Sequence, residues 1–420
     1  MNSPPGPRSP KAWQFARFTL GFVDYLERCA ARYGDVFTLR PPPFDGFVVA
    51  TGPAEVHQIL TDRERFAGGD AAWLLEPITG RGSVILASGE PHMRQRKRLL
   101  PPFHGERLAR WQDEIAQIAE RELDRLPTDQ PVAMRPPMQR LTLEVICRIV
   151  LGMDDPERIA RFSAAFTRFL EPRQQFVVFF PTLSRRRGAL NPARSFIRNR
   201  ADVWRLLEEE IARSGDGEDV LSMMLQTADD DLIVRDELMG LLIAGHETTA
   251  TGLAWAFERL SRTPGTQEHL RDDPAYLNAV VEETMRTRPP VIDAVRTATQ
   301  DTTLGGQPVP AGALLTAMFC ITHRRPDVWP DPLAFKPERF LDGKRSPYAY
   351  TPFGGGIRRC IGASLATLEM RTVLQTAAQR FTFAAAPGPP EKMRLSSVTL
   401  IPSRGGQVVL QSRPDKRNAL

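Results

Sequence analysis

Cysteine is scarce in this chain: four residues, Cys29, Cys147, Cys320 and Cys360, among 420. No two of them have a CxxC spacing, which argues against a zinc ribbon or a disulfide framework. Such sparse use fits a reducing compartment, so the expected location is the cytoplasm and Cys360 reads as a free thiol or a ligand. Long apolar runs are missing too. The start, MNSPPGPRSPKAWQF, holds no stretch long enough for a signal sequence or a spanning helix, so no membrane anchor is expected. About residues 1–14 are expected to be loosely ordered. Phe15 to Leu26 is apolar but broken by Arg17 and Asp24, and reads as an amphipathic helix docked on the protein's own core. Charge of one sign is not in large excess. The 55 basic and 50 acidic residues leave a net +5, too little to argue for nucleic acid, and no DNA- or RNA-binding motif appears. Repeats, low-complexity tracts and long linkers are absent as well.

What is present is enough apolar residue, 42%, to bury a large core. Short β-like runs lie near the start (Val36 to Leu39, Phe47 to Ala50) and near the end (Val398 to Ile401, Gln407 to Leu410), and most of the middle has helical periodicity. Helices are expected over about Arg107 to Leu126, Val203 to Ile211 and, longest, Arg235 to Arg262. In that last segment Leu238, Leu241, Leu242, Gly245, Thr249, Leu253, Phe257 and Leu260 fall on one stripe, and Pro264-Gly265 ends it. A helix this long would cross the whole molecule. The fold class is therefore mainly α with a smaller β region, arranged as one domain over 1–420 with a minor sheet assembled from both ends.

Five short segments could carry chemistry. AGHETT, Ala244 to Thr249, puts glycine and threonines, poor helix formers, at the centre of the longest helix. It is either a helix-packing notch or a groove for a small ligand beside a proton source, Glu247, and a hydroxyl, Thr248. Glu283 and Arg286 in EETMR are three apart and can pair, with Arg339 of FKPERF as a second partner. Surface pairs of that kind are common and nearly worthless energetically. His92 and Arg96 in HMRQR are four apart on one helix face. The fifth, PFGGGIRRCIG (Pro352 to Gly362), places Cys360 behind three glycines and two arginines. Glycine lets backbone approach closely and arginine lowers a neighbouring thiol's pKa, so the loop looks built to present a thiolate.

Taken in this order, HxxxR, AGHETT, ExxR, PERF and FGGGIRRCIG resemble the cytochrome P450 haem-thiolate monooxygenases, of the soluble bacterial type, over most of the chain. The resemblance implies the P450 fold, with a long central helix over haem b (iron protoporphyrin IX). It implies Cys360 as the iron ligand, ahead of a helix that resumes near Gly362. Phe353 would pack beside the loop, and Gly354 and Gly356 would let backbone approach the porphyrin. His92, Arg96, Arg296 and Arg358 would bind the haem propionates. On the opposite face Ala244 and Gly245 would leave room for dioxygen, while Glu247 and Thr248 would be the catalytic proton-relay pair. Glu283, Arg286 and Arg339 would form a structural network. His246 is not expected to be a ligand.

The intact Glu247–Thr248 pair favours a dioxygen-dependent monooxygenase over a peroxide-driven peroxygenase, which typically lacks it, and over a haem-based ligand sensor, which needs no proton relay. Electrons would come from separate partners, a ferredoxin and its reductase, docking near Cys360 on a basic face with Lys97, Arg98, Lys344, Arg345 and Arg359 as candidates. The chain is expected to be a monomer. The substrate wall implied by the resemblance includes Trp73, Leu74, Phe169, Phe176, Phe179, Phe180, Val291, Ile292, Val295 and Val398, which suits an apolar guest. Asp293 is a polar exception in it, able either to meet a substrate hydroxyl or to cap backbone. AGHETT and PPFHGERL (Pro101 to Leu108) resemble a bacterial branch that oxidises fatty acids, terpenes and steroids. A terpenoid, a steroid or a fatty acyl compound is the expected substrate.

Overall fold

One helix, Asp231–Ser261, organises the molecule. Asp230 caps it by accepting from the Leu232 amide at 2.8 Å, and its 31 residues span about 46 Å. It extends at its N-terminal end beyond the range expected from periodicity. Of the expected stripe, Leu238, Leu242, Thr249, Leu253, Phe257 and Leu260 are buried. The helix Arg135–Leu151 packs along it, beginning with Pro136-Pro137 and ending at Gly152 in a left-handed C-cap. Helices Glu106–Leu123 and Ala363–Arg380 pack against each other and join the same core. The computed structural model describes residues 3–103, 105–171, 191–227, 230–342, 348–396 and 398–413. Its content is 55% helix and 13% strand, mainly α with a smaller β region as expected.

The strands are β1 (Val36–Leu39), β2 (Phe47–Ala50), β3 (Phe66–Ala67), β4 (Pro131–Ala133), β5 (Ala294–Ala298), β6 (Thr302–Leu304), β7 (Gln307–Val309), β8 (Leu314–Ala317), β9 (Phe381–Ala385), β10 (Met393–Ser396), β11 (Thr399–Pro402) and β12 (Gln407–Ser412). The largest sheet has the order β1-β2-β8-β5-β3, with β2 and β8 parallel. Among the described residues the two ends of the chain do not share a sheet, contrary to expectation. The N-terminal strands pair with β5 and β8, whereas β12 lies between β4 and β9, and β10 pairs only with β11. Among the described residues one isolated β-bridge, Val291 to Thr399, links the two regions.

The N-terminal residues are also better held than expected. The Thr38 amide donates to Pro5 O at 2.8 Å. Gln14, buried, donates to Pro7 O and Ser9 O and accepts from the Arg40 amide. Pro5 is thereby tied to β1, and Gln14 to Arg40 just after it. Among the described residues no helix is long and apolar enough to cross a membrane. Phe176, Phe179, Phe180, Lys344 and Arg345 fall outside the described residues.

Candidate functional site

The cysteine loop is a tight turn hung from a buried ionic network. The Cys360 amide donates to Phe353 O at 2.9 Å, and the Gly354 amide to Thr351 O at 2.9 Å. Gly354 and Gly356 both have left-handed backbone, with φ of 67° and 62°. Space around Gly354 is open. At Gly356 a Cβ would sit 2.1 Å from Leu60 O, so its lack of a side chain accommodates protein backbone, which corrects its expected role. The Thr351 amide donates to His323 Nε2 at 2.9 Å, and His323 O accepts from Arg286 Nη1 at 2.8 Å. Arg286 forms a two-pronged pair with Glu283, both fully buried, and Arg339 Nε donates to the same carboxylate at 3.2 Å. The chain of contacts thus runs from Glu283 to the loop. His323 was not anticipated from sequence.

Cys360 itself is accessible, while the other three cysteines are buried. Burial pushes its thiol up, against the Gly362 amide, Arg359 and Arg96, which pull it down. The arginines act in the expected direction but are outweighed. A bound metal cation would stabilise the sulfur as thiolate, its proton leaving to solvent.

Arg96, which acts on Cys360, belongs to a cluster of three arginines and a histidine. Burial, then Arg358, Arg96 and Arg296, hold His92 neutral, with its pKa lowered to about 4. Arg96 in turn feels Cys360 and Arg359. Arg296, on β5, is buried and is pulled down to about 10 by burial and by Arg358. Arg358 donates to Ile85 O at 3.4 Å and to Ala87 O. Gly68 passes so close to the Arg358 side chain that a Cβ would overlap it, another residue the sequence did not single out. His92, Arg96, Arg296 and Arg358 bring three guanidinium groups together, a grouping that suits an anionic ligand.

On the central helix, AGHETT splits its duties. Gly245 faces the Arg135–Leu151 helix, where a Cβ would meet Ile146 Cδ1 at 2.6 Å. It is the packing notch, which corrects its placement in an oxygen groove. Ala244, by contrast, is exposed in the middle of a mostly buried helix. Thr248 Oγ1 donates to Ala244 O at 2.5 Å, the one-turn back-bond that loosens a helix. Glu247 turns the other way: it pairs with Arg135, and Gln139 Nε2 donates to it at 2.7 Å. His246 is buried, bonded to Thr142 Oγ1 at 2.9 Å and edge-on to Phe166. Arg135 and Gln139 were missed because an i,i+4 pair on one helix gives no sign of a partner more than a hundred residues away.

The cytochrome P450 family model matches residues 4–410. The chain belongs to the cytochrome P450 family. Among its relatives, the Mycobacterium tuberculosis protein carrying the name cytochrome P450 135B1 is 34% identical over 442 residues, covering 99% of this chain and 93% of that one. The Mycobacterium bovis protein named cytochrome P450 138 is 33% identical over 438 residues, covering 98% and 96%. The retinoic-acid-bound cyanobacterial CYP120A1 superposes with a TM-score of 0.83 at 25% identity, covering 98% of this chain and all of that one. The haem domain of cytochrome P450DA shares the fold at the same score and 24% identity. The chain is thus a monooxygenase that uses haem b.

The residues present suit that P450 cofactor. Among the described residues no group of three His, Cys, Asp or Glu could hold a metal ion, so an iron bound at Cys360 needs most of its ligands from elsewhere, as a porphyrin supplies them. The clustered guanidinium groups of Arg96, Arg296 and Arg358 suit a pair of propionates.

The expected substrate wall divides. Val291 and Val295 are half-buried and Trp73 and Val398 exposed. Leu74 is half-buried against the main core. Phe169 is core, packed on Phe166 and Phe196, and Ile292 is sealed in the cluster beneath the first two helices.

Proposed function

We propose that this P450 hydroxylates, or epoxidises, an apolar small molecule of terpenoid, steroid or fatty acyl type, with electrons delivered by a separate ferredoxin and its reductase. We read residues 1–420 as one domain working in the cytoplasm. The observation that carries the reading is the grouping of an accessible Cys360 with Arg96, Arg296, Arg358 and His92. We assign Cys360 as the iron ligand, the three arginines and His92 as propionate partners, and Phe353, Gly354 and Gly362 as the frame of the ligand loop.

Haem b, when bound, supplies activation of dioxygen, one atom going to a C–H bond of the substrate and the other to water. The protein's part is to orient the substrate and meter protons. Thr248 offers its hydroxyl beside the exposed Ala244, and Glu247 is the acid from which that hydroxyl is resupplied, through water or on release from Arg135. Val291, Val295, Trp73, Leu74 and Val398 offer the guest apolar surface. The similarity to a protein bound to retinoic acid, an apolar polyene acid, supports that class. For the electron donor, a surface hollow of about 480 Å³ lies beside the ligand loop, lined by Arg359, Arg371, Ser364 and Asn278, with exposed Lys97 and Arg98 as further basic residues. Such a face suits an acidic partner.

The test is a screen of apolar compounds for displacement of iron-bound water in the haem-loaded protein, then mass spectrometry of products with reconstituted electron carriers. Oxygenated product is expected. Binding without product under electron supply would instead favour a sensor.

A further inference from the structure

The first two helices of the chain follow opposite rules. The single helix expected over Phe15 to Leu26 is divided at Gly21, between the helices Lys11–Leu20 and Phe22–Tyr33. The second buries Phe22, Val23, Tyr25, Leu26 and Cys29. The first, all ten of whose residues are described, buries Gln14 alone. Phe18 is half-buried against Phe22 and Phe47. The other large apolar residues of this helix stand in solvent, Leu20 at 89% exposure, Trp13 at 53% and Phe15 at 40%.

Hydrogen bonds fix the roll of that helix. Gln14 Nε2 donates to Pro7 O at 3.2 Å and to Ser9 O at 3.0 Å, and its Oε1 accepts from the Arg40 amide at 2.8 Å. At about 100° per residue, Gln14 and Phe18 share the inward side, and Trp13, Ala16 and Leu20 share the opposite one. Turning the helix to bury this stripe would strand the polar groups that Gln14 satisfies. The stripe therefore stays outward, as an interaction surface does. Charge says what it meets. Residues 1–20 contain Arg8, Lys11 and Arg17 and no acidic residue. Arg17 lies over the Trp13 ring, 4.8 Å from its centroid. Strand β10, in contact with the helix, adds exposed Lys392 and Arg394. Against these stand Asp45, which Lys11 pairs at 3.1 Å, and Asp24 in the first turn of the next helix. Negative lipid answers both features at once: indole and leucine suit the boundary of the acyl chains, and guanidinium groups suit the phosphates.

We propose that the helix Lys11–Leu20 is a membrane-surface dock: Trp13 and Leu20 enter the boundary of an anionic bilayer and Arg8 and Arg17 bind its phosphate groups, attaching the protein reversibly. None of these residues is assigned to the haem site, the substrate wall or the donor hollow, so attachment can be measured apart from catalysis.

Co-sedimentation of the haem-loaded full chain with vesicles tests it, using phosphatidylcholine alone and phosphatidylcholine with phosphatidylglycerol in equal parts. Binding to the mixed vesicles is expected to be tighter by about tenfold or more, since each basic residue near the surface adds about fivefold, and to weaken in high salt. Trp13→Gln combined with Leu20→Gln, both at exposed positions, should lose about tenfold or more of that affinity with CO spectrum and thermal unfolding unchanged. Arg17→Gln should lose about fivefold. Lipid brominated in its acyl chains should quench the tryptophan emission of the unaltered protein more than that of Trp13→Phe, which keeps the stripe apolar. Failure of the unaltered protein to sediment with the mixed vesicles would overturn the proposal without any variant. Equal quenching in the two proteins would put another part of the chain at the membrane and overturn it as well. So would a double variant that binds vesicles unchanged but loses self-association in gel filtration, which would give the stripe to a second copy of the chain.

Discussion

Glu247 and Arg135 face each other across the contact between the central helix and the Arg135–Leu151 helix, with Gln139 completing the hold on the carboxylate. The proposed proton source is thus tethered away from the hydroxyl it would serve, and Thr248 spends its proton on Ala244 O. Proton delivery then depends on how firmly Arg135 keeps Glu247. Arg135→Ala, which frees Glu247, should raise the product formed per electron consumed while leaving haem content unchanged, and Thr248→Ala should lower it. Product yield per electron unchanged in both variants would remove the pair from the relay.

Gly245 makes a steric prediction. Adding a methyl group there drives it into Ile146 Cδ1, so Gly245→Ala should cost about 1–3 kcal/mol in denaturant unfolding despite alanine's better helix propensity. Ile146→Val in the same chain should recover part of the loss. An unchanged or raised stability in Gly245→Ala would show that the notch is slack.

The Glu283–Arg286 pair is fully buried and holds up the cysteine loop through His323. Removing one charge strands the other, so Glu283→Gln should destabilise by about 3–5 kcal/mol. Arg286→Lys should fail to restore the loop, since lysine lacks the fork that reaches Glu283, His323 O and Pro332 O together. Thermal unfolding and haem retention both report it.

Two core histidines predict an acid limit. Burial holds His246 at about 4 and His323 at about 3, both below the free value of 6.5. Between these values the unfolded chain binds the proton and the folded chain does not, so stability rises with pH. It is fully present above about pH 6.5 and is lost as pH falls through 4, by about 3 kcal/mol for His246 alone. His246→Gln should flatten its share of the slope in unfolding measured from pH 7 to 4. A slope equal to that of the unaltered protein would assign the acid sensitivity elsewhere.

The sequence disclosed what is local. The PFGGGIRRCIG turn, the long helix and β1 and β2 are each specified by neighbouring residues, through glycine backbone, apolar periodicity and short β-branched apolar runs, and they stand where expected. What it hid is long-range. Nothing near β12 says that it pairs with β4 and β9 and not with the N-terminal strands, because strand partners are chosen by three-dimensional packing. Gly245 admitted two readings at once, and only the position of Ile146 decides between them. Asp293 was equally open until its side chain was found to accept from the Thr316 hydroxyl and from no backbone donor among the described residues, which rules against the capping role.

The central claim, that Cys360 ligates haem iron through sulfur in this cleft, has one direct measurement: the absorption spectrum of the reduced, CO-bound protein beside that of Cys360→Ser. The unaltered protein should give the thiolate–CO band and the variant should lose it while keeping the overall helix content. The same band in Cys360→Ser would contradict the assignment outright.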